Sequence, residues 1–261
     1  MLMLLQVDDF LYVTPSHENA MTFLALMLRG IPEYNCQVNH GKTLVNFDPG
    51  SLAVDVNEAV PRLEAGALFP WCGLLIDTST LAVVADYTRY ADTAMSDTMT
   101  LDLARNAGRA MRNKLMFSLR MRCHRIFFDA AVNSAAVQNV YRVFLLAAFK
   151  LHAYAAQLTN GPQRNPAFFV DVIFEVADFV LSCTRGSATA GGLLEGPPVQ
   201  WLCLEAFRRK LSRHGGVYGA VLSVIARRQT ALRRRLDERR LAELWRIVGD
   251  GLPSDFEYML S

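Results

Sequence analysis

The segment LLQVDDFLYVT, residues 4–14, places two apolar stretches on either side of the acidic pair Asp8 and Asp9. Two apolar runs around a short polar break predict a β-hairpin with the carboxylates at its tip. Adjacent carboxylates disfavour each other's ionisation, and a divalent cation relieves that repulsion. The segment therefore predicts either a Mg²⁺ site or an ordinary turn, in which aspartate is common because it suits turns.

The rest of the first hundred residues alternates short apolar runs with turn residues, which predicts hairpins around one helix. The expected elements are a helix opened by Thr14-Pro15 and ended by Gly30, a strand pair over residues 36–47 that turns at His40-Gly41, a loop-like insert over 48–66, and a third hairpin formed by 71–76 and 81–85 around the turn at 77–80.

From about Leu101 onward the apolar spacing becomes helical. The aromatic residues between Tyr141 and Tyr154 fall at that spacing and predict core packing. The fold class is therefore α+β, with a hairpin-rich unit over residues 1–88 and an all-α unit over 89–261. The predicted helices cover residues 115–128, 135–158, 167–183, 199–214, 217–236 and 241–248.

Composition excludes several classes of protein. Hydrophobic residues make up 52% of the chain and charged residues 20%, which excludes wholesale disorder. The longest apolar run, residues 143–149, is too short to cross a bilayer, so no membrane partner is expected. The five cysteines form no CxxC pair, which indicates a reducing compartment and argues against a disulfide framework or a cysteine-rich zinc site.

Charge divides the chain in the same way as the apolar pattern. Residues 1–100 hold 4 Lys and Arg against 12 Asp and Glu, whereas residues 101–261 hold 23 against 13. A basic second unit suits a polyanion, although ordinary drift in surface charge gives the same imbalance. The arginine-rich stretch over residues 227–240 is left as a solvated helix, a nuclear-import patch or a nucleic-acid contact.

The basic residues are densest over residues 101–125, where a single aspartate opposes them. Arg105, Arg109 and Arg112 repeat at i, i+4 and i+7 and would share one face of a helix. Like charges stacked in this way repel each other, and a phosphate backbone alongside would relieve the repulsion. Gly108 would permit a close approach to that backbone. The alternative is a solvated helix face.

Residues 4–14 resemble motif C of reverse transcriptases, where aspartates on a hairpin of the palm domain bind catalytic Mg²⁺. Further segments, in order and over nearly the whole chain, resemble the vertebrate telomerase reverse transcriptase family. These segments are VNHGKTLVNF (38–47, motif D), LFPWCGLLIDT (68–78, motif E or primer grip), NAGRAMRNKLMFSLRMRCHRIFFDAAVNS (106–134, thumb), QWLCLEAFRRKLSRH (200–214, a later thumb helix) and LPSDFEYML (252–260, the C-terminal end). The resemblance implies the C-terminal part of a palm (1–88) followed by a helical thumb or C-terminal extension (89–261).

The resemblance also implies roles for individual residues near the acidic pair. Asp8 and Asp9 would be catalytic and bind metal, with Asp8 the better candidate for direct ligation. Val7 would sit beside the incoming nucleotide. Lys42 would lie near the triphosphate and protonate the leaving pyrophosphate as a general acid, or it is a solvated lysine at a turn.

Other residues would contact nucleic acid if the resemblance holds. The primer grip would include Gly73, whose missing side chain lets a strand approach a nucleic-acid backbone closely. Trp71 and Leu74 suit core packing equally well. The implied nucleic-acid-binding residues are Trp71, Cys72, Gly73 and Leu74 in the primer grip and Arg105, Arg109, Arg112 and Lys114 in the thumb.

The activity implied by the resemblance is RNA-templated addition of deoxynucleotides to the 3′ end of telomeric DNA, by a mechanism that uses two Mg²⁺ ions. The implied partners are telomerase RNA, the telomeric DNA primer, dNTP and the rest of the telomerase protein and ribonucleoprotein, at telomeres in the nucleus. The RNA-binding region, the fingers and the first palm aspartate are absent, so we expect a longer parent protein. We predict that this chain alone is inactive, because the missing carboxylate bridges both ions. The alternatives are an inactive truncated product that binds nucleic acid and a retroelement reverse transcriptase.

Overall fold

A computed structural model describes residues 1–50, 60–100, 106–185, 192–257 and 259. It combines antiparallel strands with helices, as expected for the α+β class, and divides into the compact units Met1–Leu81 and Ala82–Ser261. Residues 82–88, assigned to the first unit from the sequence, therefore belong to the second. The strands are β1 (Leu2–Gln6), β2 (Asp9–Val13), β3 (Phe69–Trp71), β4 (Leu74–Ile76) and β5 (Val83–Ala85), and the helices are α1 (His17–Arg29), α2 (Ala107–Arg120), α3 (Arg125–Phe128), α4 (Ala136–Ala156), α5 (Pro166–Thr184), α6 (Gly196–Ser212), α7 (Gly215–Arg233), α8 (Glu238–Val248) and α9 (Ser254–Glu257).

The predicted hairpin at the start of the chain is confirmed. Strands β1 and β2 pair antiparallel, with Gln6 opposite Asp9, so Val7 and Asp8 alone form the loop between them. On β2, the ring of Tyr12 stacks on Phe23 of α1 with the ring centroids 4.3 Å apart. This contact holds α1 against the hairpin that carries the acidic pair.

Helix α1 begins and ends close to where the sequence indicates. Its N-cap is Ser16 rather than Thr14, because the Ser16 hydroxyl accepts a hydrogen bond from the Asn19 amide at 3.2 Å. The chain leaves the helix at Gly30, whose φ of 63° is left-handed. A side chain there would meet the Cys36 carbonyl oxygen at 2.5 Å, so the close approach requires glycine.

The strand pair predicted over residues 36–47 is wrong. The chain instead forms a 3₁₀ turn over His40–Lys42, because the Asn39 side-chain oxygen accepts a hydrogen bond from the Lys42 amide at 3.2 Å. An asparagine side chain that bonds nearby backbone in this way competes with a strand ladder. Two isolated bridges, Ile31 with Cys36 and Val45 with Arg62, are the strand-like pairing in this part of the described chain, and Val45 packs in a small apolar core.

The region over residues 69–80 contains one more turn than the sequence predicted. Strands β3 and β4 pair antiparallel around Cys72 and Gly73, which have φ values of 47° and 78°. Positive φ at both central residues is the signature of a type I′ hairpin turn, so the predicted single strand over 71–76 is really two short ones. The turn predicted at 77–80 is present, with Asp77 accepting hydrogen bonds from the Ser79 and Thr80 amides.

The second unit is built around α4. Most residues of α4 are buried, including Tyr141, Phe144, Phe149 and Tyr154, which confirms the prediction that these aromatic residues are core. Helices α4 and α6 form the centre of one large apolar cluster. The cluster therefore fixes where the exposed faces of the surrounding helices lie.

One predicted helix, residues 115–128, is displaced and divided. Helix α2 begins at Ala107, ahead of that range, and ends at Arg120, and the short α3 follows after His124. The His124 ring accepts a hydrogen bond from the Ile126 amide and so opens a new helical turn. The other predicted helices are confirmed with small changes at their ends, whereas α9 was not predicted.

A buried carboxylate ties α6 to α7. Glu205 is fully buried and accepts two hydrogen bonds from Arg208, at 2.9 and 2.6 Å, and one from Arg209 at 2.8 Å. Gln229 of α7 donates a fourth hydrogen bond at 2.9 Å. Burial by itself would raise the pKa of Glu205, but these hydrogen bonds outweigh it and lower the pKa.

Over the described residues, every helix falls short of the length or the apolar character that crossing a bilayer would take.

Candidate active site and nucleic-acid interface

The acidic turn lies at the exposed tip of the β1–β2 hairpin. Val7 is 91% exposed and has a φ of 59°, which is rare for a β-branched residue. In a two-residue turn of this kind the first position usually carries glycine. Valine at this position stores backbone strain of about 1–3 kcal/mol, and such strain clusters at ligand-binding sites.

The Cys72-Gly73 turn lies against the acidic pair within the first unit. The Cys72 thiol donates a hydrogen bond to the Asp9 carboxylate, with 3.4 Å between Sγ and Oδ2. Burial raises the pKa of the Cys72 thiol, and the hydrogen bond and the charges of Asp9 and Asp8 raise it further. The thiol therefore stays protonated and acts as a donor rather than as a nucleophile. Two segments 63 residues apart in sequence thus meet at one point.

The oxygen atoms of Asp8 and Asp9 supply only some of the ligands that a divalent cation needs. Asp8 is exposed, and within the described residues it forms neither a hydrogen bond nor an ion pair. Two carboxylates with free oxygens match the way proteins hold Mg²⁺, which keeps waters and substrate phosphates as its other ligands. Across the described part of the chain, no group of three His, Cys, Asp or Glu side chains is placed to hold a metal. The pair therefore fits as part of a metal site.

The two other predicted primer-grip residues are half-buried. Trp71 and Leu74 are the paired residues that flank the turn, Trp71 ending β3 and Leu74 beginning β4. The indole N–H of Trp71 is buried and has no hydrogen-bond partner in the described part of the chain. A buried indole N–H normally finds a partner, so this donor stands out beside the turn.

Lys42 is an exposed residue of the first unit. Its side chain is exposed at the end of the 3₁₀ turn, and its backbone amide is held by Asn39. Among the described residues, no hydrogen bond or ion pair joins Lys42 to Asp8 or Asp9. The resemblance implies that these three residues act at one triphosphate, and that role stays a prediction.

The basic helix α2 is only partly available to a ligand. Arg105 lies outside the described residues, and Arg109 is exposed. Arg112 instead forms a two-pronged ion pair with Glu175 of α5, at 2.5 and 2.6 Å, which raises the pKa of the Arg112 guanidinium. The like-charge repulsion inferred from the sequence is therefore relieved at Arg112 by a carboxylate of the same chain.

Two other features of α2 are explained by packing within the second unit. The Lys114 ammonium donates a hydrogen bond to the Thr100 carbonyl, so a group of the same chain occupies it. A side chain at Gly108 would meet the Phe168 ring at 3.3 Å. The close approach predicted at Gly108 is therefore made by α5.

Comparisons with known proteins assign the chain to a family. Residues 109–226, from α2 into α7, match the family model described as telomerase reverse transcriptase, C-terminal extension. The telomerase reverse transcriptase of Bos taurus is 41% identical over 268 residues, which cover 97% of this chain, and that of Mus musculus is 39% identical over 99% of it. This chain corresponds to the C-terminal part of vertebrate telomerase reverse transcriptases. The fish Takifugu rubripes has a relative that is 36% identical over 96% of the chain.

The family assignment confirms the resemblance to the C-terminal part of vertebrate telomerase reverse transcriptases and sets aside the retroelement alternative. The chain spans 24% of the length of the bovine and mouse proteins. The site residues, the metal and the cellular location remain predictions.

Sequence reasoning missed two exposed residues of α2. Phe117 is 63% exposed, and Arg120 is exposed one turn further along. Both share a helix face with Arg109, at i+8 and i+11. Continuing the helical spacing of Arg109 and Arg112 further along the sequence would have identified both residues.

Proposed function

We propose that this chain supplies the C-terminal palm and the thumb of a telomerase reverse transcriptase, which extends telomeric DNA by copying an RNA template. The observation that carries the proposal is the exposed, strained turn at Asp8, in contact with the Cys72-Gly73 turn. In this reading the first turn faces the triphosphate and the second faces the primer end. The family assignment supports the choice of reaction.

The acidic pair is proposed to hold Mg²⁺. Bound there, Mg²⁺ would favour the attacking 3′-hydroxyl and neutralise charge on the leaving pyrophosphate. Asp8 would be the direct ligand, because its carboxylate has no competing hydrogen bond in the described chain, whereas Asp9 already accepts one from Cys72. The Cys72 donor fixes the direction of the Asp9 carboxylate.

Val7 and Lys42 are proposed to contact the incoming dNTP. The exposed Val7 side chain stands next to Asp8 and offers an apolar surface to the sugar or base. The Lys42 ammonium would hold the triphosphate and give a proton to the pyrophosphate oxygen as the bond breaks. Its exposed position leaves the side chain free to move to that oxygen.

Nucleic acid is proposed to contact the Trp71–Leu74 hairpin in the first unit and, separately, the exposed face of α2 in the second. Arg109 and Arg120 would contact phosphates and Phe117 the sugar edge, while Arg112 and Lys114 maintain the fold around them. Telomerase RNA, the DNA primer and dNTP are then the ligands, and telomeres in the nucleus are the place of action.

A complementation experiment tests this function. The C-terminal quarter of the bovine protein is replaced with this chain, and primer extension is measured in the presence of telomerase RNA. We expect extension by the chimera, none by its Asp8→Asn variant, and none by the 261-residue chain alone. Asp48→Asn is the matched control and should retain activity, because Asp48 is exposed and its carboxylate is bonded in the described chain to the Gly50 amide alone. Full activity of the Asp8→Asn chimera would contradict the proposal.

A second candidate is a module that binds nucleic acid without catalysis. The observation that favours this candidate is the small number of metal ligands. Among the described residues, Asp8 and Asp9 are joined by no third side chain placed to hold a metal. Salt-dependent binding of the chain to an RNA–DNA hybrid that is unaffected by Asp8→Ala would support it. Extension by the chimera would show that the same segment also serves catalysis.

A further inference from the structure

The thiol of Cys72 has a partner within the first unit. It donates a hydrogen bond to Oδ2 of Asp9 across 3.4 Å. The Cys72 side chain is half-buried, whereas Asp9 is exposed at the start of β2. The family resemblance implied that Cys72 contacts nucleic acid, but the hydrogen bond directs its side chain to a carboxylate of the acidic pair.

The backbone at Cys72 is unusual for the residue that it carries. Its φ of 47° is left-handed, and the turn that it forms with Gly73 is of type I′. The first position of such a turn normally holds asparagine, aspartate or glycine, because these residues tolerate positive φ. The backbone therefore gives no reason for a cysteine here. The contact of its thiol with Asp9 supplies one.

A second turn with unfavourable backbone meets the first at this hydrogen bond. Val7 has a φ of 59° in the two-residue loop that precedes Asp9. Backbone strain of this kind persists only where the surrounding structure holds it, and it clusters at functional sites. Each of the two turns that meet at Asp9 thus carries a residue other than glycine at positive φ. This coincidence favours a functional role for the contact between them.

The hydrogen bond selects one orientation of the Asp9 side chain. An exposed aspartate normally exchanges between several staggered rotamers. A donor at one carboxylate oxygen favours the rotamer that reaches it, and because the thiol binds Oδ2, Oδ1 remains for a metal ion. Groups that hydrogen-bond a metal ligand orient it, and losing one typically lowers metal affinity or activity by roughly 10- to 100-fold.

A thiol suits this position because it is a neutral and weak donor. An arginine or lysine in the same place would form an ion pair with Asp9 and compete with Mg²⁺ for its charge. A thiol that keeps its hydrogen, as cysteine ordinarily does at neutral pH, leaves the charge of the carboxylate intact. Cys72 can therefore orient Asp9 without neutralising it.

We propose that Cys72 is a positioning residue for the polymerase reaction, whose thiol holds the Asp9 carboxylate in one orientation and leaves Oδ1 for the catalytic Mg²⁺. The inference rests on the proposed function, which assigns Mg²⁺ to Asp8 and Asp9. It gives the Cys72 side chain to the metal site and leaves the contact with the primer to the backbone of the turn. The turn that meets the primer end thus also orients a ligand of the metal.

The first measurement needs neither metal nor catalysis. Three-bond couplings of the Asp9 side chain in the isotope-labelled, metal-free chain report whether it keeps one χ1 rotamer. We expect a single rotamer in the parent and in Cys72→Ser, which retains a donor, and averaged rotamers in Cys72→Ala. Cys36→Ala is the matched control and should leave Asp9 unchanged, because the Cys36 thiol is another donor of the first unit and bonds the Tyr34 carbonyl.

The second measurement follows the metal and the reaction. Mn²⁺ titrated into the chain should bind at the β1–β2 turn roughly 10-fold more weakly in Cys72→Ala than in the parent or in Cys72→Ser. In the chimera with the bovine protein, Cys72→Ala should lower kcat roughly 10-fold at fixed Mg²⁺, with KM for primer and dNTP within about twofold of the parent. Cys72→Gly should lower kcat in the same way, although glycine suits the positive φ.

Three results would overturn the inference. They are averaged Asp9 rotamers in the parent, a single rotamer retained in Cys72→Ala, and a raised primer KM with unchanged kcat, which would return Cys72 to a contact with nucleic acid. Amide exchange in β3 and β4 checks that the variants keep the hairpin. Failure of the parent chimera to extend a primer would instead count against the proposed function, because the rotamer measurement does not depend on that reaction.

Discussion

Replacing Glu205 with glutamine should destabilise the second unit strongly. The side chain keeps its shape, but an NH₂ group replaces one oxygen that now accepts hydrogen bonds from arginine. The substitution leaves a buried guanidinium without one of its hydrogen-bond acceptors. Removing one partner of a buried ion pair lowers the free energy of unfolding by about 3–5 kcal/mol, because the remaining charge stays buried and unpaired. Since glutamine retains one acceptor oxygen, we expect about 3 kcal/mol, or a fall in Tm of about 6–12 °C for a unit of this size.

Tryptophan fluorescence during thermal and urea unfolding reports this change. Trp201 and Trp245 both lie in the second unit, and a Trp71→Phe background removes the signal from the first. Glu243→Gln is the matched control, because the Glu243 side chain is 41% exposed and lies 4.0 Å from Arg246. The control should stay within about 0.5 kcal/mol of the parent.

The Glu205→Gln variant should also change how the stability of the second unit depends on pH. Because the pKa of Glu205 is lowered by folding, the unfolded chain binds more protons between the folded pKa and the ordinary value of about 4.3. The stabilisation is therefore complete above that range and is lost as the pH falls through the folded pKa. Glu205→Gln should remove this part of the acid sensitivity. A variant with the stability and acid profile of its parent would refute the role given to this network.

Three other substitutions test separate parts of the structure. Val7→Gly should stabilise the β1–β2 hairpin by about 1 kcal/mol by relieving the positive φ, seen as slower amide exchange in β1 and β2. Lys210→Met should raise Tm at pH 7, because burial lowers the pKa of Lys210 to about 8. Parent stability should rise between about pH 8 and 10 as the unfolded chain binds more protons, and the variant should lack this rise. Glu175→Gln frees Arg112, and it should tighten binding to an RNA–DNA hybrid about fivefold while changing stability by less than about 1 kcal/mol, measured by anisotropy and urea unfolding.

The sequence was most informative where one strong local pattern decides the structure. Apolar runs around Asp8 and Asp9 predicted the first hairpin, and the long apolar repeat of α4 predicted the core helix. Both patterns involve many residues with the same period, so no single contact reverses them. The resemblance to the telomerase family rests on the same kind of redundancy, because several segments agree in order.

The sequence was less informative where a single side chain decides the backbone. The Asn39 hydrogen bond replaces a predicted strand with a turn, and the positive φ at Cys72 divides another predicted strand in two. The residues next to Asn39 and Cys72 in the sequence indicate neither change. Contacts between distant segments were also hidden. Nothing in the sequence near Arg112 indicates that Glu175 neutralises it, so its charge was read as available.

The most direct test of the account asks whether the Asp8–Asp9 turn holds a divalent metal. Mn²⁺ is titrated into the isotope-labelled chain, and paramagnetic broadening is followed at each backbone amide. The account predicts broadening first at the β1–β2 turn and at Cys72-Gly73, abolished in Asp8→Asn and unchanged in Asp48→Asn. Broadening that centres on other carboxylates, or that persists at the turn in Asp8→Asn, would contradict it.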